Sequence, residues 1–493
     1  MTQLETKLTK ENEILREELA ILKKALFGPK SERIVSSDAQ LELDLGLSAT
    51  VSEPLPEKES TSKSNKGRKG LKLNRFEIPE GLPCEKIIID VPEEDRICSE
   101  TGLPMIFFKN EVSRKLAYKP GSYYVKEFIR PIYKSPKCNE LVIADLPDFP
   151  IEKCRADVTL LAYILVMKFA DHLPLYRIEE ILKRSNINIQ RQTLSGWVLK
   201  LGDVIMPIYD LMLQKVLEGN RLFTDATGIN YLVKGKGSQK GYIWVYCGGD
   251  GEIKSKSPPY LVYEFTPDGK HVHPERLLNQ FSGLLISDAH RAYENAALRE
   301  DIQWQPCLAH ARRKFVEAQS GDPKVKAQII TFFKELFLND RGYWGDTTSA
   351  ERLIARRKTQ EPIINKIYEI IKAQVDKSIL PKNKFSKALM YMYSREAHFK
   401  TFLGNPDTLI DNNLSERAIK PLVIGRKNWL FLGSKDSGKP TAAILSLVQT
   451  CRHLNIDPAK YLEDVLRKIM GYNSQKLHEL LPDNWAKMNC GQT

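Results

Sequence analysis

Cysteine is scarce in this sequence, and long apolar runs are missing. The eight cysteines are spread over 493 residues, too thinly for the disulfide framework of a small secreted protein. The longest apolar run, residues 160–167, is far shorter than the roughly 20 residues of a membrane-spanning helix. The first residues have no basic segment followed by an apolar stretch, so no export signal is expected. These absences predict a cytoplasmic protein with no membrane anchor.

Acidic residues are outnumbered by basic ones. The sequence has 74 lysines and arginines against 62 aspartates and glutamates, which gives a formal net charge of +12. A basic excess of this size favours a polyanionic partner such as nucleic acid, although many basic proteins bind none. The length exceeds one ordinary core and predicts about two to four domains. We therefore expect a multidomain α+β protein.

Residues 1–27 have the spacing of a short leucine zipper. Five residues occupy its two core positions, with Leu8, Leu15 and Leu22 at one and Asn12 and Leu19 at the other. A single asparagine in the seam favours a parallel dimer in register, so the pattern predicts an N-terminal coiled coil and self-association. An amphipathic helix packed on its own chain is the alternative.

Residues 28–75 are rich in Ser, Lys, Glu, Pro and Gly and predict a flexible, basic linker. Its last part, residues 63–75, has no acidic residue and includes Lys66, Arg68 and Lys69. These cations would neutralise DNA phosphates. A solvated tether without a partner explains the same composition equally well.

The next two regions differ in pattern. Residues 76–150 contain short β-rich pieces separated by turn residues and predict a small β module. Residues 151–218 predict helices, including 175–182 and a second helix that opens at Arg191 after a polar turn. This helical region has the order of a helix-turn-helix DNA reader, and also that of an ordinary helical bundle.

Residues 219–435 predict a mixed α/β catalytic domain. Three meander strands, near residues 222–233, 241–247 and 259–265, are followed by alternating helices and strands: a helix near 274–280, a strand near 283–286 and a strand plus helix over 302–318. This order is the one expected of a ribonuclease H-like fold. The strandless stretch of about 320–405 predicts a helical insertion, and residues 436–493 predict a closing helical segment.

Three acidic residues lie in or beside predicted strands and helices at positions where a carboxylate is a candidate functional group. Asp225 is inside an apolar strand, where an unpaired carboxylate is costly. Asp288 follows another apolar strand, at the end that opens into the ligand crevice of α/β sheets, or it caps the next helix. Glu416 is in a short helix that we expect to end at Pro421, where a capping box with Asn413 is the structural alternative.

On a ribonuclease H-like topology, the first strand, the fourth strand and the final helix would bring these acids to one end of the sheet. Three hard oxygen donors suit Mg²⁺ or Mn²⁺. Two such ions about 4 Å apart would activate the attacking oxygen and stabilise the leaving oxygen in a displacement at phosphorus. Asp225, Asp288 and Glu416 are therefore predicted to bind metal and to be catalytic.

Eight short strings stand in this order along the chain: 26–28 (LFG) with the following Ser31 and Glu32, 172–177 (HLPLYR), 225–227 (DAT), 287–293 (SDAHRAY), 307–315 (CLAHARRKF), 411–418 (DNNLSERA), 425–431 (GRKNWLF) and 451–458 (CRHLNIDP). Together they resemble the bacterial insertion-sequence-66 transposase family over roughly residues 1–470. The resemblance implies a DDE acid triad, carried by Asp225, Asp288 and Glu416, that cuts element ends and joins them to target DNA. It also implies double-stranded DNA as the substrate and small accessory proteins from the same element as partners.

One departure from that family concerns zinc. Its members usually carry two Cys-x2-Cys pairs after the basic linker. Here the corresponding pairs are Cys98 with Thr101, and Ser135 with Cys138. Two of the four soft ligands of a closed structural zinc site are missing. Bound zinc is therefore not expected in the β module.

Two further groups of residues are candidates for a functional role. Cys307 and His310 have the spacing of half a metal site, but no second pair is nearby, so a structural or substrate-facing role is favoured. Arg426, Lys427 and Trp429 follow the Glu416 segment and predict phosphate contacts and base stacking, with an ordinary basic hairpin as the alternative.

Two other functions compete with an active transposase. One is a repressor derived from a transposase, which binds DNA without cutting it. The other is a nuclease that hydrolyses DNA without joining strands. All three acids stand in complete motifs, which favours the active enzyme.

Overall fold

The computed structural model describes ten stretches of the chain: residues 121, 123–126, 132–134, 141–143, 148–152, 154–249, 257–318, 321–343, 347–376 and 383–489. Several predicted features lie outside the described residues. These are the zipper with Leu8, Asn12, Leu15, Leu19 and Leu22, the linker with Lys66, Arg68 and Lys69, and the positions Cys98, Thr101, Ser135 and Cys138. They stay predictions.

Within the predicted β module the structure describes one antiparallel strand pair. Strand β1, Ile132–Lys134, pairs with β2, Leu141–Ile143, and Ile132 lies opposite Ile143. This pair belongs to a compact unit separate from the one formed by residues 148–489. The rest of the description concerns that second unit.

A mixed sheet forms the centre of the larger unit. Its strands are β3 Arg221–Val233, β4 Gly237–Cys247, β5 Leu261–Thr266, β6 Gly283–Ser287, β7 Ile302–Pro306 and β8 Phe431–Leu432. The order is β5-β4-β3-β6-β7, and β8 pairs with the far end of β3. Strands β3, β4 and β5 are antiparallel neighbours, whereas β6 runs parallel to β3 and β7 parallel to β6. The predicted mixed α/β sheet is confirmed.

The register of β3 and β6 sets the position of the two aspartates. Leu222 and Phe223 on β3 and Leu285 and Ile286 on β6 are fully buried, as expected where helices cover both faces of parallel strands. Their pairing ends with Thr224 opposite Ser287. The next residue on each chain segment is an aspartate, so the two acids emerge at the same edge of the buried sheet centre.

Four helices precede the sheet: α1 Val158–Phe169, α2 Leu175–Arg184, α3 Arg191–Val204 and α4 Met206–Leu217. The predicted helix, turn and helix correspond to α2 and α3. Asn186 in the turn has φ 60, a left-handed conformation that asparagine adopts more readily than most residues. Buried Ile178, Leu182 and Leu194 pack the pair on the rest of the core.

The helices between strands are α5 Val272–Leu278, α6 Arg291–Ala296 and α7 Leu308–Glu317. The predicted insertion is helical, with α8 Pro323–Arg341, α9 Ser349–Ala355, a π-helical turn Arg356–Gln360, α10 Glu361–Val375, α11 Lys384–Tyr393, α12 Glu396–Phe399 and a 3₁₀ turn Thr401–Leu403. It has its own apolar core, which includes Phe333, Ile367 and Leu389. One face of α7 belongs to that core through Leu308 and Phe315.

The closing helices are α13 Asn413–Trp429, α14 Gly438–His453, α15 Pro458–Lys468 and α16 Pro482–Asn489, with 3₁₀ turns Ile469–Gly471 and Ser474–Leu480 between the last two. The last three of these helices lie in the region 436–493, where the sequence predicts a closing helical segment. In the stretches that the structure describes, no helix combines the length and the apolar character needed to cross a membrane.

At both edges of the sheet, side chains of other elements form hydrogen bonds with strand backbone groups. On β5, the backbone N–H of Leu261 donates to Thr450 Oγ1 at 3.0 Å and that of Tyr263 donates to Ser446 Oγ at 2.9 Å, both on α14. On β7, the carbonyl of Trp304 accepts a hydrogen bond of 2.8 Å from Thr401 Oγ1. These contacts satisfy backbone groups that an edge strand leaves unpaired.

Helix α13 corrects one prediction. It does not end at Pro421 but continues to Trp429, so the predicted short helix and the alternative basic hairpin are both wrong. Proline inside a helix removes one backbone hydrogen bond and costs roughly 3 kcal/mol. Burial of Ile419 and Leu422 offsets this cost, and the hydroxyl of Tyr263 donates to the carbonyl of Ala418 at 2.6 Å in the affected turn.

Candidate active site

Asp225 lies within β3 and is largely shielded from water. The backbone N–H of Ala226 donates to its Oδ1 at 2.8 Å. Burial and the negative charge of Asp288 raise the pKa of Asp225 to about 7, and Glu416 adds to the rise. A carboxylate whose pKa is raised in this way is typical of a functional site.

Asp288 follows β6 in the loop before α6. It does not cap that helix, because the N-cap is His290, whose Nδ1 accepts a hydrogen bond from Ala292 N–H at 3.3 Å. The capping alternative is therefore wrong. Burial raises the pKa of Asp288, and His310 and His290 oppose the rise. Its backbone carbonyl accepts a hydrogen bond of 2.7 Å from Ser287 Oγ.

Glu416 is held near β3 by the first residue of its helix. The N-cap of α13 is Asn412, whose Nδ2 donates to the carbonyl of Thr224 at 2.9 Å, one residue before Asp225. Because Asn412 makes no side-chain cap and Asn413 is already helical, the predicted capping box is absent from α13. The capping-box alternative for Glu416 is therefore wrong.

Helix α7 presents basic side chains to Glu416. His310 Nδ1 lies 3.4 Å from Glu416 Oε1, and an Arg313 guanidinium nitrogen lies 3.5 Å from Oε2. The Glu416 side chain is 21% exposed. Burial lowers the pKa of His310, while Glu416 and Asp288 oppose the change. The carboxylate thus faces both an imidazole and a solvent-accessible cation.

A group that sequence reasoning missed adjoins the acids. Donor atoms of Cys307, His310 and Glu416 all lie within 4.8 Å of one another, and this is the one such trio of possible metal ligands in the described part of the chain. The three acids do not form so tight a cluster. The Cys-x2-His spacing was visible in the sequence, but Glu416, more than 100 residues away, joins it only through the fold.

The insertion also reaches this site. The hydroxyl of Tyr391, on α11, accepts a hydrogen bond of 3.2 Å from the backbone N–H of Ala289, next to Asp288. Lys314 Nζ lies 4.5 Å from the centroid of the same tyrosine ring. The loop that carries Asp288 is therefore supported from the insertion, which the sequence did not indicate.

The predicted DNA contacts differ in their surroundings. The Arg426 guanidinium donates to Thr227 Oγ1 at 3.2 Å and to the carbonyl of Gly228, both on β3. Lys427, the next residue, is exposed, and so is Arg191 at the start of α3. The exposed pair keeps its charge available to a phosphate, whereas Arg426 is engaged within the domain.

Trp429 is half-buried at the end of α13. The ring lies against Gly425, where an added Cβ would approach the indole Nε1 to 2.8 Å. The ammonium group of Lys168 lies 5.2 Å from the ring centroid, a cation–π arrangement. Burial lowers the pKa of Lys168 to about 8. Base stacking by Trp429 stays a prediction, and these contacts give the ring a packing role.

Comparison with protein families identifies the chain. The model described as Transposase IS66 family matches residues 153–440, more than half of the sequence. The chain belongs to the IS66 transposase family. The IS66 C-terminal element matches residues 446–482, and the model Transposase C of IS166 homeodomain matches residues 14–87. Membership assigns a transposase role to this IS66-family chain and agrees with the resemblance seen in its motifs.

Relatives of the IS66-family chain occur in Sinorhizobium fredii. The uncharacterized protein y4qI is 32% identical over 487 residues, which cover 95% of this chain and 88% of the relative. The uncharacterized protein y4jD is 29% identical over 493 residues, which cover 97% of this chain and 96% of the relative. The similarity therefore extends along nearly the full length of each pair.

Proposed function

We propose that this chain is a DDE-type transposase that cleaves DNA at the ends of a mobile element and transfers the strands to target DNA. Asp225, Asp288 and Glu416 are its catalytic carboxylates. One observation carries the proposal: Asp225 and Asp288 directly follow the paired residues Thr224 and Ser287 on neighbouring parallel strands, and the helix of Glu416 starts with a hydrogen bond to Thr224.

The strand order supports a ribonuclease H-like catalytic domain. Three antiparallel strands and then two parallel ones, in the order β5-β4-β3-β6-β7, form the sheet. The helical insertion lies between α7 and α13, after the second acid and before the third. This arrangement agrees with the fold that the sequence predicted.

The donor set fits a divalent metal such as Mg²⁺ or Mn²⁺. Burial and mutual repulsion raise the pKa of Asp225 to about 7, and Glu416 Oε1 is buried without a hydrogen-bond partner in the described residues. Both features disfavour carboxylates without a nearby cation. Asp225, Asp288 and Glu416 would hold two such ions, which would supply charge stabilisation at the reacting phosphorus.

The chain's own cations would position the DNA backbone. Arg313 is partly exposed beside Glu416, and Lys314 is exposed beside Tyr391. Both can contact a phosphate that approaches the acids, without base specificity. Arg191 at the exposed start of α3, the net charge of +12 and the match to a homeodomain model support DNA binding elsewhere on the chain.

A cleavage and strand-transfer assay on labelled element-end DNA tests the proposal. The variants are Asp225→Asn, Asp288→Asn and Glu416→Gln, and the matched control is Glu317→Gln, an exposed acid on α7. Each site variant is expected to lose at least about a hundredfold in cleavage rate while retaining DNA affinity, because phosphate contacts supply the affinity. The control is expected to cleave normally.

The outcomes separate the competing functions. A site variant with near-normal cleavage would remove that residue from the triad. DNA binding by the unaltered chain with no cleavage in Mg²⁺ or Mn²⁺ would favour a repressor. Cleavage without joining would favour a nuclease.

A further inference from the structure

Cys307 lies between β7 and α7, next to the proposed acid triad but outside it. Its side chain is fully buried, and it is the N-cap residue of α7. His310 follows on the first turn of that helix, and Glu416 approaches from α13. The three donor atoms come within 4.8 Å of one another. A thiol, an imidazole and a carboxylate are the ligand types that Zn²⁺ binds.

Two of these donor atoms face each other, and each lacks a hydrogen-bond partner among the described residues. His310 Nδ1 and Glu416 Oε1 are 3.4 Å apart. Both atoms are buried, and neither forms a hydrogen bond with any described residue. Two ligands of one tetrahedral zinc, each at about 2.0–2.1 Å, are separated by roughly 3.3 Å. The observed spacing therefore fits two ligands of one ion.

Two backbone donors reach the sulfur of Cys307 and oppose the rise that burial causes in the pKa of its thiol. The backbone N–H of Asn412 donates to Sγ at 3.3 Å, and the backbone of His310 also donates to it. Donors of this kind, together with the N-terminus of a helix, stabilise negative charge on sulfur. The helix α7 has ten residues, enough for a full N-terminal turn.

We propose that Cys307, His310 and Glu416 form a site for a borderline or soft divalent ion such as Zn²⁺. The thiol proton passes to solvent as the ion binds, and three protein ligands leave a fourth position for water. Hard Mg²⁺ disfavours a sulfur ligand, so this site and the three acids select different metals. Glu416 belongs to both sets. We further infer that zinc inhibits cleavage by withdrawing Glu416 from the triad. This second inference rests on the proposed function.

Cobalt titration of the metal-free full chain tests the site itself, because Co²⁺ replaces Zn²⁺ and a bound thiolate gives a near-ultraviolet charge-transfer band. The expected result is a band that saturates at one ion and is displaced by zinc. Cys307→Ser loses the band, and His310→Gln and Glu416→Gln weaken cobalt binding by at least about tenfold. The matched control, Cys98→Ser with Cys138→Ser, keeps it.

Two results would overturn the site. One is an unchanged band in Cys307→Ser, and the other is loss of the band only in the Cys98 and Cys138 control. Circular dichroism checks that each variant is folded. Glu416 is partly exposed, so Glu416→Gln keeps the test decisive if the buried Cys307 variant fails to fold.

Zinc inhibition of Mg²⁺-supported cleavage tests the inferred consequence, with each variant compared with its own zinc-free rate. The unaltered chain is expected to be inhibited, and Cys307→Ser to need at least about tenfold more zinc for the same fractional loss. Equal sensitivity of the two would overturn the inference. No cobalt band in a chain that cleaves DNA would reject the site and leave the proposed function standing. A cobalt band in a chain that never cleaves DNA would support the site and reject the proposed function.

Discussion

Arg426 and Thr227 are joined by a hydrogen bond of 3.2 Å that ties the last turns of α13 to β3, two residues beyond Asp225. The same guanidinium also donates to the carbonyl of Gly228. At the other end of α13, Asn412 bonds to Thr224. The helix that carries Glu416 is therefore fixed to β3 on both sides of Asp225.

Replacing Arg426 with methionine is expected to destabilise the fold by about 1–3 kcal/mol, because it leaves a strand carbonyl without its donor. Urea unfolding measures the change. Lys427→Met is the matched control, since Lys427 is exposed, and it should alter stability by less than about 0.5 kcal/mol. Unchanged stability of Arg426→Met with reduced DNA affinity would instead support the phosphate contact predicted from sequence.

Asp225 should make the metal-free protein less stable as the pH rises. Its pKa is about 7 in the folded chain and about 3.9 when unfolded. The folded state therefore holds the proton more tightly, and the penalty is absent below about pH 4, grows up to about pH 7 and is constant above.

Asp225→Asn removes this penalty, so in chelator at pH 8 it should exceed the unaltered chain in stability by an amount on the order of 1–3 kcal/mol. At pH 5 the difference should be smaller. Denaturant unfolding at both values checks it. An identical pH dependence of the two proteins would contradict the shifted pKa.

Arg356 should be the most sensitive cation of the insertion. It is fully buried, and its guanidinium donates to Asp340 Oδ1 at 2.8 Å and to the carbonyl of Thr408 at 2.7 Å. Arg356→Met leaves the Asp340 carboxylate buried without this partner, which costs about 3–5 kcal/mol. Exposed Arg357 supplies the control, and thermal unfolding of Arg357→Met should match that of the unaltered chain. Equal melting of both variants would show that Arg356 is dispensable.

The predicted zipper should pair two chains. A helix of three heptads is marginal alone, so dimerisation is expected to be weak in free protein and stronger on DNA, where two chains are held close. Changing Leu15 and Leu22 to lysine should suppress coordinated joining of two ends while leaving single-end cleavage. Sedimentation with and without end DNA, beside the joining assay, tests both parts. Unaltered joining would place the pairing surface elsewhere.

Sequence patterns predicted most of the elements of the larger unit because its strands and helices have clear periodicity. Asp225 and Asp288 each directly follow the residues through which β3 and β6 pair in parallel, and this pairing makes the two positions neighbours. Pro421 misled the prediction of α13, because proline is a local signal and the burial that offsets it is tertiary.

The remaining parts of the site depend on contacts between distant segments. The nearness of Glu416 to His310 and the support of Asp288 by Tyr391 bring together residues about 100 positions apart. No periodicity or spacing encodes such pairs. In the same way, the sequence identified Arg426 as a cation, but it could not predict which oxygens of β3 the guanidinium binds.

The hydroxyl groups that cover β5 and the threonine that covers β7 have a consequence for assembly. Thr450 and Ser446 occupy donors on one outer strand, and Thr401 occupies an acceptor on the other. Another polypeptide that sought to lengthen the sheet by β-augmentation would have to displace these side chains first. Crowding of many copies on one nucleic acid should therefore not extend this sheet from one chain to the next at the bonded positions of β5 and β7.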